Sequence, residues 1–369
     1  MISLVLREFH QSLGGRFDQV NGMEVVRDYG EPLIEHAALH ATAGVLDLSL
    51  RSRVGLTGAD RQRFLNGQVT NNVKDLKPGQ GCYAALVSAK GKLQSDLNIY
   101  CLPNELLLDF ESGFGVAVAQ RFEKFIIADD VQIVDAAPHY GLLSVQGPQA
   151  GAVVSRLQWG IEAPAKPLSF VSITDSTLGE IYVTNHARTG TGGFDLFVPN
   201  AALGAVADKL FAAAKFVDGR ACGWQALEWA RIEAGIPRFG VDMDESNLAP
   251  EAGIESRAIS YSKGCYIGQE VIARIRTYGQ VAKSLCGLRL AENLKALPRT
   301  GDKLYRGDKE IGYVTSAMVS PTLKSNIALS YVRREASAPG TELTLKMAEG
   351  AGSAVIVELP FVPTRNPKP

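Results

Sequence analysis

Near Val281 the sequence changes its punctuation, and that change constrains the fold more than any other feature. Downstream of it, short apolar runs at 311–314, 327–332, 343–345 and 355–359 are broken by Arg306-Gly307-Asp308, Gly312, Ser320-Pro321 and Pro339-Gly340. Closely spaced short strands with turn residues between them imply a small all-β terminal domain. Upstream, strand-like and helix-like spacings alternate without the regular rhythm of a doubly wound sheet. A chain of 369 residues is also past the size at which one hydrophobic core stops growing, so two or three domains are expected.

The upstream elements can be read individually. A short helix is predicted to begin after Thr57-Gly58 and to stop at Asn66-Gly67, residues that tolerate a left-handed cap. Leu97, Ile99 and Cys101 alternate with polar or aromatic neighbours, and a Pro103-Asn104-Glu105 turn leads into Leu106-Leu107-Leu108-Asp109-Phe110, which predicts a β-hairpin. Val118, Phe122 and Phe125 recur at i, i+4 and i+7 and predict an amphipathic helix, followed by a strand over 131–134. A similar passage follows: a strand over 141–145, a break at Gly147-Pro148 and a helix over 150–157. Another helix is predicted after Pro199-Asn200 with Leu203, Val206 and Leu210 as its buried stripe, and one more over 224–234 ends at Gly235-Ile236-Pro237. Strand–strand–helix–strand order suggests an antiparallel sheet with helices on one face, an α+β layout. The final Pro363-Thr364-Arg365-Asn366-Pro367-Lys368-Pro369 reads as a frayed tail.

Charge and cysteine usage narrow the function. Thirty-eight basic and 39 acidic residues give a net charge of -1. Neither a basic excess nor a basic stripe speaks for nucleic acid, so small molecules or proteins are the expected partners. No window offers the eighteen or more apolar residues of a membrane helix, and the short apolar start meets Arg7 and Glu8 at once, so a cytoplasmic protein is expected. Cys82, Cys101, Cys222, Cys265 and Cys286 form no C-x-x-C pair, which argues against a disulfide framework, a zinc ribbon or a self-contained cluster. His36 and His40 stand at i, i+4 without the intervening Glu of a zinc motif; they read as a helix surface pair, and no metal ligands are assigned.

The most informative stretch is Lys263-Gly264-Cys265-Tyr266-Ile267-Gly268-Gln269-Glu270. A helix starting at Tyr266 would put the Cys265 thiol at its N-terminus, where unpaired amides favour a thiolate, with Lys263 adding positive charge. Gly264 and Gly268 would let the backbone pass close to a ligand. The competing reading is a small buried cysteine, as free cysteines commonly are.

These eight residues strongly resemble the signature of the YgfZ family, relatives of the glycine-cleavage T-protein within the folate-binding aminomethyltransferase superfamily. Gly44-Val45-Leu46-Asp47-Leu48-Ser49, Phe64-Leu65-Asn66-Gly67-Gln68-Val69-Thr70-Asn71 and Arg231-Ile232-Glu233-Ala234-Gly235-Ile236-Pro237 resemble other stretches of that superfamily, so the likeness runs along nearly the whole chain. It implies a three-domain cloverleaf with folate in a central channel. Residues 1–52 with 138–240 would form one α+β domain, 53–137 with 241–280 a second, ferredoxin-like one, and 281–369 a C-terminal β-barrel.

By the same resemblance, tetrahydrofolate or a one-carbon derivative is the implied cofactor. Tyr83, Asp96, Tyr100, Asp109, Asp195 and Arg231 are its implied contacts, and Cys265 and Asp96 the implied reactive groups. The implied role is support of iron–sulfur cluster assembly or repair in client proteins, by a monomer or weak dimer. The alternative is aminomethyl transfer in glycine cleavage or a related folate-dependent one-carbon transfer; whether there is turnover stays open. Departures from the T-protein pattern are Ser95-Asp96 in place of an acidic pair, Asp195 in place of Glu, and Cys265-Tyr266 in place of an acidic residue and Phe.

Overall fold

The computed structural model describes residues 2–363; the expected frayed end at 364–369 lies outside them. Three large β bodies organise those residues, beside a two-stranded antiparallel ribbon of Arg16–Val20 and Met23–Asp28. A six-stranded sheet runs in the order Phe170–Asp175, Gly179–Asn185, Gly193–Pro199, Tyr140–Gln146, Gly44–Asp47 and Arg220–Ala221, antiparallel except for the last pair. A five-stranded antiparallel sheet runs Gln80–Val87, Leu93–Cys101, Leu106–Phe110, Ser52–Thr57, Gln132–Asp135. From Lys283 to Val357 six strands close a barrel, the all-β end announced by the punctuation after Val281.

Each sheet of the first two bodies has one face under helices. Val145, Leu196, Val206 and Leu210 lock helices Ala150–Ser155 and Leu203–Lys215 onto the six-stranded sheet. Phe64, Leu65, Val118 and Phe122 do the same for helices Arg61–Gln68 and Gly115–Glu123 on the five-stranded sheet. The predicted stripe on the second of these helices stops one residue early. The chain leaves the helix at Lys124, and Phe125 is half outside the protein, beneath the Arg121 guanidinium. A further cluster joins the two sheets, with Tyr100 and Leu107 from one meeting Leu142, Phe197 and Tyr182 from the other, and Leu227 of helix Trp224–Glu233 closing it.

The two superfamily-like motifs around residues 64–71 and 263–270 prove to be one structural unit. The Lys263 ammonium is buried and donates to the carbonyls of Asn66, Val69 and Asn71 at 2.5, 2.7 and 2.7 Å. Ile267 N–H donates to the Gly67 carbonyl at 3.0 Å, and the Thr70 hydroxyl to the Ala258 carbonyl at 2.6 Å. A turn just past a helix leaves carbonyls unpaired, and a single ammonium with three donors suits three of them. Lys263 is therefore occupied with backbone oxygens rather than lending charge to Cys265.

The helix expected from Tyr266 starts later, at Gln269, after Gly268 at φ +84°. Cys265 is thus not at its N-terminus. It sits on the exposed loop before it. A Cβ on Gly268 would come within 2.4 Å of the Ser88 carbonyl, whereas Gly264 faces open space. The close approach at Gly268 is to the protein's own backbone, not to a ligand.

Candidate functional site

Where the two sheets and helix Trp224–Glu233 converge they enclose a cavity of about 450 Å³. Its walls mix flat and apolar groups (Tyr83, Trp224, Leu168, Leu227) with a ring of charge. Among the residues expected to be functional, Tyr83, Asp96 and Arg231 line it. Tyr83 and Asp96 sit on adjacent strands, Gln80–Val87 and Leu93–Cys101, where alternation brings both side chains to one face. The Tyr83 hydroxyl donates to Asp96 Oδ2 at 2.8 Å.

Burial raises the Asp96 carboxyl above its ordinary value, with the Tyr83 hydroxyl and the Arg51 and Arg257 guanidinia pulling the other way. Burial and the neighbouring carboxylate push the Tyr83 phenol well up, so it remains a donor. The result is a half-buried carboxyl group held by one hydroxyl at the cavity wall.

Three of the expected contacts, Tyr100, Asp109 and Asp195, stand behind the wall of this cavity, not on it. Tyr100 is 1 % exposed and packs edge-on against Phe197 and Phe170 between the sheets. Asp109 is fully buried and accepts from Arg51 Nε at 2.7 Å, Asn98 Nδ2 at 3.0 Å and Arg188 Nη2 at 3.0 Å. Asp195, equally buried, accepts from the Ser144 hydroxyl at 2.7 Å, His186 Nδ1 at 2.9 Å and Arg188 Nη2 at 2.6 Å.

Arg188 therefore bridges Asp109 on one sheet and Asp195 on the other. Burial alone would raise both carboxyls. At Asp195, Arg188 and His186 outweigh it and hold the group at about 2. At Asp109, Arg51 and Arg188 hold it well below the usual carboxylate range. Burial and Arg188 lower His186, which stays neutral. With Asp195 ionised, His186 must donate through Nδ1, which leaves Nε2 as the acceptor.

Arg231 lines the cavity while fully engaged. It forms a fork on Glu228 at 2.7 and 2.9 Å and reaches Asp242 at 2.7 Å and the Ile236 carbonyl at 3.1 Å. Sequence reasoning missed two further cationic residues on the cavity wall, Arg238 and Arg257. Arg238 lies over the Trp224 ring at 5.0 Å and is ion-paired with Glu228 at 3.3 Å, while its Nε is buried without a hydrogen-bond partner among the described residues. Arg257 lies over the Tyr83 ring at 4.6 Å. Arg238 directly follows the Gly235-Ile236-Pro237 helix end, the one local signal that could have pointed to it.

Cys265 does not line the cavity. It is the one exposed thiol of the five cysteines, all of which are free. Cys82 does line the cavity, but burial pushes its thiol up to about 12, which leaves it unreactive at neutral pH. His36 is a clear departure from the expected surface pair: it is 3 % exposed and faces Glu233.

Comparison with known proteins agrees with this architecture. The GCVT N-terminal domain family matches residues 6–263, and the glycine cleavage T-protein C-terminal barrel domain family matches residues 283–363. The chain is 30% identical to the aminomethyltransferase of Bacillus velezensis, with 96% of each chain covered. It is also 30% identical to that of Ralstonia pickettii, covering 98% of this chain and 97% of that one. The crystal structure of the glycine cleavage system aminomethyltransferase T from Bartonella henselae superposes with a TM-score of 0.87 over 98% of both chains at 24% identity, a likeness of fold. A cloverleaf-type α+β body, a closed terminal barrel and both family matches leave one assignment: the chain belongs to the glycine-cleavage T-protein family.

Proposed function

We propose that the chain binds a reduced folate in the central cavity and serves as an aminomethyltransferase-type one-carbon transferase, with Asp96 as the carboxylate at the reacting amine. The observation that carries this reading is the Tyr83–Asp96 pair at the wall of a cavity whose other groups suit a folate. A fused ring system needs flat or apolar walls and a glutamate tail needs cations; Trp224, Tyr83 and Leu227 offer the first, Arg238 and Arg257 the second. The buried, unpartnered Arg238 Nε is the sort of donor that a ligand carboxylate completes.

Tetrahydrofolate, when bound, supplies the amine that accepts the one-carbon unit. Asp96 then orients that amine and offsets the charge developing on it, and Tyr83 fixes the rotamer of Asp96. Asp109 and Asp195 act indirectly in this reading. They hold Arg188, and Arg188 holds the two sheets in register around the cavity.

The names of the relatives favour transfer over the YgfZ reading, in which the chain supports iron–sulfur proteins through a thiol. One observation favours that second reading. Cys265 is exposed on a loop pinned from below by Lys263, so it is presented to a protein partner rather than to the cavity.

A single set of variants separates the two. The transfer reading expects tetrahydrofolate binding by calorimetry in the parent protein, in Asp96→Asn and in Cys265→Ser. It expects transfer from an aminomethyl-loaded lipoyl carrier to fall by about a hundredfold or more in Asp96→Asn alone. If the parent shows no transfer, and Cys265→Ser lowers the activity of client iron–sulfur enzymes, the second reading takes its place. Absence of folate binding by the parent ends both.

A further inference from the structure

Helix Pro32–Ala41 presents His36 and His40 one turn apart on the same face, and across from them stands Glu233, the last residue of helix Trp224–Glu233. None of the three lines the folate-type cavity. Their ligand-type atoms form a closed triangle. His36 Nε2 to Glu233 Oε2 is 3.0 Å, His40 Nε2 to the same oxygen is 3.1 Å, and the two Nε2 atoms are 3.1 Å apart.

Protons alone do not account for this triangle. Each Nε2 carries at most one hydrogen in any tautomer or charge state, and an ionised carboxylate only accepts. Two protons cannot fill three edges. If both nitrogens donate to Glu233, two N–H groups confront each other at 3.1 Å. If His40 donates to His36, the His36 lone pair confronts the carboxylate.

A cation at the centre resolves all three edges at once. Metal bonds of about 2.0–2.1 Å, usual for imidazole and carboxylate on zinc, separate neighbouring ligand atoms by about 2.9 Å in octahedral and about 3.3 Å in tetrahedral geometry. The observed edges fall between those values.

The surroundings are those of a built site. The second oxygen of Glu233 accepts from the Ser320 hydroxyl and from Thr322 N–H at 3.1 Å, and the Thr322 hydroxyl reaches the ligating oxygen at 2.8 Å. Such partners fix the orientation of a metal-bound carboxylate. Glu233 is fully buried and His36 nearly so, while the His40 side chain is 23 % exposed, which leaves a side open for a water ligand and for the ion to enter. Two imidazoles with one carboxylate select a first-row transition ion over magnesium or calcium.

We propose that His36, His40 and Glu233 bind one divalent transition-metal ion of the zinc class, clamping the two helices and the barrel turn at 320–322 together at a site separate from the folate-type cavity. The test is titration of tag-free, chelator-treated full-length protein with Zn²⁺ by calorimetry and with Co²⁺ by visible absorption. The same titrations are run on His40→Ala, chosen for its exposed position, and on His36→Gln, with metal-free thermal melts checking that each variant folds.

One equivalent should bind to the parent, with Co²⁺ giving the ligand-field bands of a nitrogen- and oxygen-bound ion. Zn²⁺ should raise the melting temperature of the parent and not of His40→Ala, whose affinity should fall by at least about tenfold. No stoichiometric binding by the parent overturns the site. So does binding that is undiminished in a folded His40→Ala.

Discussion

Asp96, the proposed reactive group, also carries a structural burden. Its carboxyl is raised from an ordinary 3.8 chiefly by burial. A carboxyl raised in the folded state contributes stability that is fully present below the unfolded value and is lost as pH rises through the folded one. Asn at this position has no such loss. Asp96→Asn is therefore expected to melt at a higher temperature than the parent at pH 7.5, with the difference shrinking as pH falls toward 4. Thermal melts across that range check it, and a variant less stable than the parent at every pH would show that Asp96 is held by favourable contacts outweighing its desolvation. The motif resemblance pointed at Asp96 and Tyr83, and both line the cavity. Arg188 could not, since its importance arises only when Asp109 and Asp195, 86 residues apart in the chain, are brought to either side of one guanidinium. The same partnership explains why the two acids are not on the cavity wall: a buried carboxylate needs its cation first.

Among the elements, periodicity carried most of the information. Leu203, Val206 and Leu210 are all fully buried, as the spacing predicts, and the hairpin at Leu93–Cys101 and Leu106–Phe110 pairs Cys101 with Leu106 across its turn. What spacing could not show was that the two motifs around 64–71 and 263–270 are halves of one device. A lysine beside a cysteine suggests electrostatic activation in one dimension; in three, its ammonium is taken by carbonyls almost two hundred residues upstream. Lys263→Met removes the donor to three carbonyls while keeping a similar length. With buried unmet groups at about 1–3 kcal/mol each, the expected loss is at least about 3 kcal/mol by urea denaturation. A loss under about 1 kcal/mol would mean that water reaches the turn and replaces the ammonium. The misplaced helix start has a similar origin: Gly268 adopts a left-handed conformation that ends the preceding turn, so Cys265 is left on a loop.

Across the whole molecule, the barrel is fastened to the rest by side chains that also shape the cavity. Ile232 is covered by Met318, Ile327 and Leu329, and Asp242, the partner of Arg231, accepts from the Thr315 and Ser316 hydroxyls at 2.6 Å each. Ending the chain after Ala282 would expose Ile232 and strip Asp242 and Glu233 of their barrel partners. The truncated protein is expected to lose cooperative unfolding and to be cleaved rapidly by added protease around helix Trp224–Glu233. A sharp, parent-like transition would show that the first two bodies stand alone. Helix Trp224–Glu233 is a party wall, with Trp224, Leu227 and Arg231 facing one room and Ile232 and Glu233 the other. A lineage carrying this fold can trim those barrel loops that do not touch helix Trp224–Glu233, but it cannot shed the barrel as a surplus module without also tearing down one side of its central chamber.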